Sequence, residues 1–336
     1  MSHDPAYDHS VDLVVPSDTR RVLLLGATGT IGRAVLKTLL EAGFDVTCAL
    51  RSPPSSKAEL DHPGLTLQVG DLTSDGFLHD ISDGVDAVVS CLASRTGAPS
   101  DAWAVDHGIN SRLLTACRAL GNPHFVLLSA ICVQKPKLAF QHAKLAFEEE
   151  LVASGLTYSI VRPTAFFKSL SGQLGRLRAG KPFLVFGDGA LTACKPISDA
   201  DLARFVVRCL THPACQNRIL PVGGPGLALT PLEQGNLLFQ ALNEKPQFRR
   251  VPVALMSVII WLLTAVGMFS PAVRAKAELA RIGRYYATES MLLWDADRQG
   301  YDADATPEFG QDTLADHYHG LARGEVEVDL GEHAVF

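Results

Sequence analysis

The stretch RVLLLGATGTIG, residues 21–32, decides the fold of this chain. Its first half is a continuous apolar run, which is typical of a central strand buried on both faces of a parallel sheet. Its second half matches G-x-x-G-x-x-G at Gly26, Gly29 and Gly32, and a helical pattern follows. A strand, a glycine loop and a helix in this order predict a dinucleotide-binding turn, in which a pyrophosphate lies at the helix N-terminus.

Five further apolar runs follow, and they alternate with amphipathic helical patterns. Such alternation builds a parallel sheet with helices on both faces, because each crossover between parallel strands needs a helix's length of chain. It predicts an α/β fold with a Rossmann-type doubly wound parallel sheet. The predicted strands are FDVTCALR, LTLQVGD, DAVVSCLAS, HFVLLSAICV and LTYSIVRP.

The alternation weakens after Pro163, which predicts a smaller C-terminal substrate-binding subdomain. The segment GKPFLVFGDG is typical of a hairpin or an extended excursion, with a turn at residues 187–189. The amphipathic residues 201–210 predict a helix that returns to the sheet, and Thr230 is expected to cap the next helix.

Composition and charge limit the classes of function. The chain has a net charge of -6 and a pI near 6.0, whereas nucleic-acid binding needs a concentrated basic face, so we expect no nucleic-acid partner. The seven cysteines are scattered, with no C-x-x-C pair and no Cys/His cluster. This favours reduced thiols, no bound metal and a cytoplasmic location. Residues 1–19 lack the pattern of a secretory signal and are expected to form a disordered tail.

The end of the second strand indicates which cofactor is bound. An acidic residue there would hold the ribose 2′-hydroxyl of NAD, but the sequence CALRS places Arg51 and Ser52 at this point. A guanidinium suits a 2′-phosphate through charge-assisted hydrogen bonds, with Ser52 and Lys57 assisting. The alternative is that Arg51 is a solvated loop charge. We expect NADPH, held also by the loop residues Gly26, Thr28, Gly29, Thr30, Ile31 and Gly32.

The stretch SAICVQKPKLAFQHAK, residues 129–144, resembles the catalytic segment of short-chain dehydrogenases, with one departure. In that superfamily a Tyr-x-x-x-Lys pair performs the acid–base chemistry, whereas here Phe140 occupies the tyrosine position and only Lys144 remains. Hydride addition to a conjugated C=C bond leaves charge on the π system and forms no alkoxide that a tyrosine must protonate. Lys144 is therefore the expected catalytic residue and a contact of the nicotinamide ribose; the alternative is a surface lysine.

The same resemblance implies cofactor contacts at the ends of the other strands. An acid after the third strand meets the adenine ring in that superfamily, residues after the fourth strand lie beside the adenosine, and the sixth strand ends at the nicotinamide. The residues at these positions are Asp71, Leu72, Cys91, Leu92, Ala93, Pro163 and Thr164, and Ser129 after the fifth strand is a further expected cofactor contact.

Motifs along nearly the whole chain make the resemblance more specific. They include FQHAKLAFEEEL, YSIVRPTAFFKSLSGQ, ACKPIS, LPVGGPGLALTPLEQG, IGRYYATESM and DADATPEFGQDTL. With these motifs the chain resembles the divinyl chlorophyllide a 8-vinyl reductases, atypical short-chain enzymes of chlorophyll and bacteriochlorophyll biosynthesis. The resemblance implies an NADPH-dependent oxidoreductase that acts on a CH–CH group. It would reduce the C8 vinyl group of divinyl chlorophyllide a, or of a related magnesium tetrapyrrole, to ethyl.

We accordingly expect two working parts in the chain. An NADP-binding Rossmann domain would occupy residues 20–170, and a substrate-binding region would occupy residues 171–325. Within the second part, residues 196–222 are expected to return to the Rossmann core, and residues 326–336 form a tail.

Aromatic and basic residues near the catalytic segment are candidates for binding the pigment. Phe140, Phe166 and Phe167 offer flat surfaces to a macrocycle, and Lys168 or Lys195 can pair with its propionate. The alternative is that the phenylalanines belong to the core and that Lys168 is a solvated end.

Residues 252–269, PVALMSVIIWLLTAVGMF, are uncharged and of borderline length for a bilayer helix. Folded-domain motifs continue after them, so a transmembrane span fits poorly. A helix that covers a hydrophobic substrate or lies at the photosynthetic membrane surface fits better, and a buried helix is the alternative.

Two other functions remain open on the residues alone. One is reduction of a different conjugated C=C substrate, and the other is an NmrA-like NADP-sensing or assembly protein on the same scaffold. The presence of both Lys144 and Arg51 favours catalysis over sensing.

Overall fold

The computed structural model describes residues 4–8, 20–53, 62–95, 98–268 and 270–326. Its strands are β1 Arg21–Leu25, β2 Asp45–Leu50, β3 Leu65–Val69, β4 Ala87–Ser90, β5 His124–Leu128, β6 Tyr158–Pro163, β7 Phe183–Phe186, β8 Arg218–Val222, β9 Phe248–Val251, β10 Leu293–Asp295 and β11 Gly300–Asp302. Seven of them form one parallel sheet in the order β3-β2-β1-β4-β5-β6-β8. The order reverses between β1 and β4, where a doubly wound sheet opens a crevice at its carboxyl edge. The predicted fold class is confirmed.

Helices cover both faces of this sheet. The α-helices of the described residues are α1 Thr30–Glu41, α2 Asp75–Ser82, α3 Pro99–Ala102, α4 Asn110–Leu120, α5 Ala139–Ala153, α6 Phe167–Leu170, α7 Leu174–Arg178, α8 Asp199–Thr211, α9 Pro231–Ala241, α10 Val253–Gly267, α11 Pro271–Thr288 and α12 Leu314–Arg323. The apolar sides of α1 and α8 share one core with the sheet. Those of α2, α4 and α5 share the core on the opposite face. All six predicted strands of the first half are present.

The C-terminal part has a core of its own, formed by α7, β7, α9 and α12. The hairpin alternative for GKPFLVFGDG is wrong, because β7 pairs in parallel with β9, but the expected turn at residues 187–189 is present, with the amide of Gly189 donating to the carbonyl of Phe186. The inward side chains Phe183 and Val185 are buried against this core, and that burial, which a turn signal does not encode, selects the distant partner. Thr230 caps α9 as expected, in a capping box with Glu233.

The chain returns to the sheet through α8, which packs with α1, and through β8, which lies beside β6. Residues 4–8 depart from the expected disordered tail. Arg208 donates hydrogen bonds to the carbonyls of Pro5 and Ala6, and Tyr7 donates one to Pro221. These contacts fix the segment against α8 and β8.

The helix α10 lies against α11, and most of its apolar surface is exposed. Within the described ranges, no helix combines the length and apolarity needed to cross a membrane. Phe269, the last residue of the predicted apolar segment, lies outside the described residues.

Candidate functional site

The glycine loop between β1 and α1 has a shape that two of its glycines make possible. Gly26 has φ +81°, and a Cβ on it would lie 2.5 Å from the carbonyl oxygen of Cys91. A Cβ on Gly32 would lie 2.0 Å from the carbonyl oxygen of Gly26. Gly29 has room, its nearest such contact being 3.4 Å, and it is exposed at the start of α1. This leaves backbone at a helix N-terminus open to an approaching phosphate, as the cofactor prediction requires.

The carboxyl ends of β2 and β3 carry the residues expected at the adenosine. Arg51 and Ser52 are exposed directly after β2, and Lys57 lies outside the described residues. Hydrogen bonds from the hydroxyl and the amide of Thr73 lower the pKa of Asp71. Asp71 is therefore ionised at neutral pH, with one oxygen committed to Thr73, and Leu72 beside it is buried.

Lys144 is a buried residue, which contradicts the surface-lysine alternative. It is 8% exposed, and α5 directs it back to the sheet edge, where its Nζ lies 3.5 Å from the carbonyl oxygen of Leu92. The same Nζ lies 3.0 Å from Oδ1 of the buried Asp106. The site therefore holds a fixed cation beside the loop that follows β4.

Asp106 is the residue that the sequence analysis missed. It lies in a π-helical turn, Trp103–Ile109, which continues directly into α4. The wider turn displaces side chains from regular helical spacing, and such turns are frequent at functional sites. No local signal in the sequence marks this role, because the partner Lys144 is far along the chain.

Ser129 at the end of β5 is engaged in the interior rather than free for the cofactor. Its hydroxyl donates to the carboxylate of Glu148, which Arg162 also binds, through Nε at 3.1 Å and through a second guanidinium nitrogen. Both oxygens of the buried Glu148 are thus satisfied. This arrangement argues against a cofactor contact by the Ser129 hydroxyl and gives Arg162 a structural role.

Polar groups near the end of β6 already have partners within the protein. Thr164 donates its hydroxyl to the carbonyl of Lys195, so that hydroxyl is not free for a carboxamide. Lys195 itself is buried, forms an ion pair with Glu308 and donates to the carbonyl of Thr306 at 3.3 Å. Its charge is compensated within the protein, which argues against the expected pairing with a substrate propionate.

The three phenylalanines occupy different environments. Phe167 is 4% exposed and packs in the C-terminal core against the ring of His317, so the core alternative holds for it. Phe166 is partly buried and forms a bridge with Ile197. Phe140 is partly buried where α5 meets α11, in a cluster with Cys132 and Tyr285. Phe140 and Phe166 keep exposed surface that a macrocycle can contact.

Lys168 lies at the cofactor loop instead of at a separate substrate position. Its Nζ donates to Oγ1 of Thr30 at 2.8 Å, at the first residue of α1. Burial raises the pKa of the nearby Asp199, and the charges of Lys168 and Arg33 oppose this rise. The structure therefore places a cation where the pyrophosphate side of a dinucleotide would lie.

Comparisons with known proteins show the family to which the chain belongs. A family model described as NAD(P)H-binding matches residues 26–213. The chain is 47% identical over 338 aligned residues to a chloroplastic divinyl chlorophyllide a 8-vinyl-reductase of Cucumis sativus, covering 96% of this chain and 80% of that protein. The chain belongs to the divinyl chlorophyllide a 8-vinyl reductase family. The resemblance found in the sequence motifs is confirmed.

More distant relatives of this vinyl reductase family member share the scaffold. The photosystem II assembly factor Ycf39 of Cyanophora paradoxa is 27% identical over 242 residues, covering 70% of this chain and 73% of that protein. An NADPH-dependent quinone oxidoreductase of Escherichia coli, solved with NADPH, has a TM-score of 0.67 at 17% identity and covers 89% of this chain and 99% of that one. At that identity the likeness shows the fold alone.

Proposed function

We propose that this protein uses NADPH to reduce the C8 vinyl group of divinyl chlorophyllide a, or of a related divinyl magnesium tetrapyrrole, to ethyl. The observation that carries the proposal is the buried Lys144, paired with Asp106. Four residues before it, Phe140 occupies the position where a carbonyl reductase would have a tyrosine hydroxyl. Membership of the vinyl reductase family supports the choice of substrate.

The residues of the chain fit the cofactor and its chemistry. The loop at Gly26 and the N-terminus of α1 would hold the pyrophosphate, with Lys168 beside it, and Arg51 would hold the 2′-phosphate. When bound, NADPH supplies a hydride from the nicotinamide C4 to the terminal vinyl carbon. The ammonium of Lys144 stabilises the negative charge that spreads into the macrocycle, and a proton completes the inner carbon. One hydride and one proton convert vinyl to ethyl.

A direct assay tests this function. Purified protein is incubated with NADPH and divinyl chlorophyllide a, and the vinyl and ethyl pigments are separated by chromatography. We expect ethyl product in step with NADPH consumption, and Lys144→Ala should largely abolish it. Absence of ethyl product from a protein that binds NADPH normally would contradict the proposal.

The assembly factor among the relatives favours a second candidate, an NADP-sensing or assembly protein. A sensor would keep the dinucleotide loop but would not need a buried lysine at the reacting end of the cofactor. The same assay separates the two, because a sensor binds NADPH without oxidising it in the presence of pigment.

We also propose that α10 contacts an anionic membrane surface. A helix that is apolar on all sides is normally buried, yet in α10 the only buried residue is Gly267. Trp261 is 69% exposed at its centre. Exposed basic side chains lie in the segments that precede and follow α10, although the whole chain is acidic, and this charge suits anionic headgroups. They are Arg249, Arg250, Arg274, Lys276 and Arg284.

This contact would place the protein peripherally at a photosynthetic membrane, from the cytoplasmic side, where a hydrophobic pigment is collected. The test is sedimentation of the protein with vesicles of phosphatidylcholine alone or of phosphatidylcholine with about 30% phosphatidylglycerol. We expect binding to the anionic vesicles, a blue shift of Trp261 fluorescence and loss of both after Trp261→Glu. Equal behaviour with both vesicles, or dimerisation through α10 without vesicle binding, would contradict it.

A further inference from the structure

The carboxylate of the proposed pigment finds no partner in the two lysines that the sequence analysis offered for it. The Nζ of Lys168 lies at Thr30 of the cofactor loop, and Lys195 is buried in an ion pair with Glu308. A cation that binds the propionate must therefore be a different residue, with an exposed side chain close to the catalytic segment.

Two lysines share one carboxylate directly before α5. The Nζ of Lys135 lies 3.0 Å from Oε2 of Glu289, and the Nζ of Lys137 forms an ion pair with Oε1 of the same residue. The hydroxyl of Tyr301 also donates to Oε2, at 2.6 Å. Two positive charges thus face one negative charge, so one of the two lysines is not needed to neutralise Glu289.

Lys137 is the lysine of this group that can bind an external anion. The side chain of Lys135 is only 26% exposed, and its Nζ lies 3.8 Å from the centre of the Trp294 ring. The side chain of Lys137 is 55% exposed. An ammonium has three hydrogens to donate, and Glu289 accepts one of those of Lys137. If Lys137 turns to another carboxylate, Glu289 still keeps Lys135 and Tyr301 as partners.

The position of Lys137 suits a macrocycle that extends to Lys144. The amide of Lys137 donates to Oε1 of Gln141 at 2.7 Å, which fixes its backbone at the start of α5. The partly exposed Phe140 lies between the two lysines in the chain. Seven positions at the helical rise place the Cα atoms of Lys137 and Lys144 roughly 10 Å apart. The propionate and the C8 vinyl group of a chlorophyllide are carried by opposite pyrrole rings, so the two ends of the pigment can face the two lysines.

We propose that Lys137 binds the propionate carboxylate of the pigment, with the macrocycle across Phe140 and the C8 vinyl group directed towards Lys144. The inference rests on the proposed function and assigns a residue to the carboxylate of its substrate. The contact is a charge-assisted hydrogen bond, and it determines which ring of the pigment reaches the cofactor. A pigment whose propionate is esterified lacks the negative charge and loses this contact.

The test measures equilibrium binding of divinyl chlorophyllide a and of its methyl ester, from the change in pigment fluorescence. We expect the unaltered protein to bind the acid about 10-fold more tightly than the ester, the usual value of a charged hydrogen bond. Lys137→Met should raise the Kd of the acid by about 10-fold and leave that of the ester nearly unchanged. Lys137→Arg, which keeps the charge, should retain the preference for the acid. The matched control is Lys245→Met, at an exposed lysine after α9, which should change neither Kd.

The comparison of acid with ester separates a carboxylate contact from a structural role. Because Glu289 keeps Lys135 and Tyr301, the Tm of Lys137→Met should stay near that of the unaltered protein. An equal rise of both Kd values in Lys137→Met, or no change in either, would overturn the inference. Chromatography of the ethyl product tests vinyl reduction separately, since binding is measured without turnover and its result does not depend on reduction of the pigment.

Discussion

Lys144 and Asp106 form a buried ion pair, with 3.0 Å between Nζ and Oδ1, at the carboxyl edge of the parallel sheet. One partner comes from α5 and the other from the π-helical turn before α4. The pair fixes the Nζ of Lys144 in one place before any substrate arrives. A cation that is fixed in advance needs no reorganisation when charge develops on the pigment.

The ion pair predicts that Asp106 and Lys144 contribute jointly to the free energy of unfolding. Asp106→Asn leaves the ammonium of Lys144 without its counter-charge and should lower the free energy of unfolding by about 3 kcal/mol. Lys144→Met should have a similar cost. The double variant, which removes both charges, should be more stable than the sum of the two losses implies but should remain inactive. Urea unfolding of the four proteins measures this, and strictly additive losses would show that the pair is not coupled.

The glycine loop predicts a variant that loses the cofactor. In Gly32→Ala the new methyl group would lie 2.0 Å from the carbonyl oxygen of Gly26, so the loop must move. We expect NADPH binding to fall by at least about 100-fold, which corresponds to roughly 3 kcal/mol. The control is Gly76→Ala in α2, whose methyl group meets only Ser74 Oγ at 3.9 Å. Fluorescence titration with NADPH checks both, and equal affinities would contradict the loop's role.

Arg51 predicts the choice between NADPH and NADH. Arg51→Gln removes the charge expected at the 2′-phosphate and should raise the Kd for NADPH by about 10-fold or more, the usual cost of a charged hydrogen bond. The Kd for NADH should hardly change, because that cofactor lacks the phosphate. Arg118→Gln, at an exposed arginine of α4, is the control for loss of one positive charge. A parallel loss for both cofactors would place Arg51 elsewhere in the site.

The position of Lys168 predicts that this residue contributes to NADPH binding and not to pigment binding. Since its Nζ lies at Thr30, Lys168→Met should weaken NADPH binding by about 10-fold and leave the KM for the pigment nearly unchanged. Steady-state kinetics with each substrate varied in turn measures the two effects. A change confined to the pigment KM would instead support the original expectation of a propionate contact.

Glu289 predicts how stability depends on acid. Burial raises the pKa of this carboxyl, but hydrogen bonds from Lys137, Tyr301 and Lys135 outweigh it and lower the pKa to about 2. The ionised form is thus favoured in the folded state, so its contribution is complete above the ordinary value near 4.5 and is lost as the pH falls towards 2. Urea unfolding between pH 6 and pH 2.5 (about the window of this shift) should show a difference between the unaltered protein and Glu289→Gln that shrinks below pH 4.5. A difference that is constant with pH would contradict this origin.

The sequence predicted the sheet and the cofactor loop because both depend on residues close together in the chain. The apolar runs determine the buried strands, and the need for Gly32 arises within the loop itself, because a Cβ there would meet the carbonyl of Gly26. Lys144 was found for the same reason, since its four-residue distance from Phe140 is a property of one helix. The family motifs then indicated the substrate.

The tertiary structure decided which of these side chains are free to act. Asp106 meets Lys144, Lys168 meets Thr30 and Lys195 meets Glu308 only after separate elements have packed. Spacing within one helix or strand carries no record of such contacts, because the partner's position is set by how the elements pack against one another. The sequence by itself therefore determined the fold, the cofactor loop and the candidate lysine. Packing alone determined the counter-charge of that lysine.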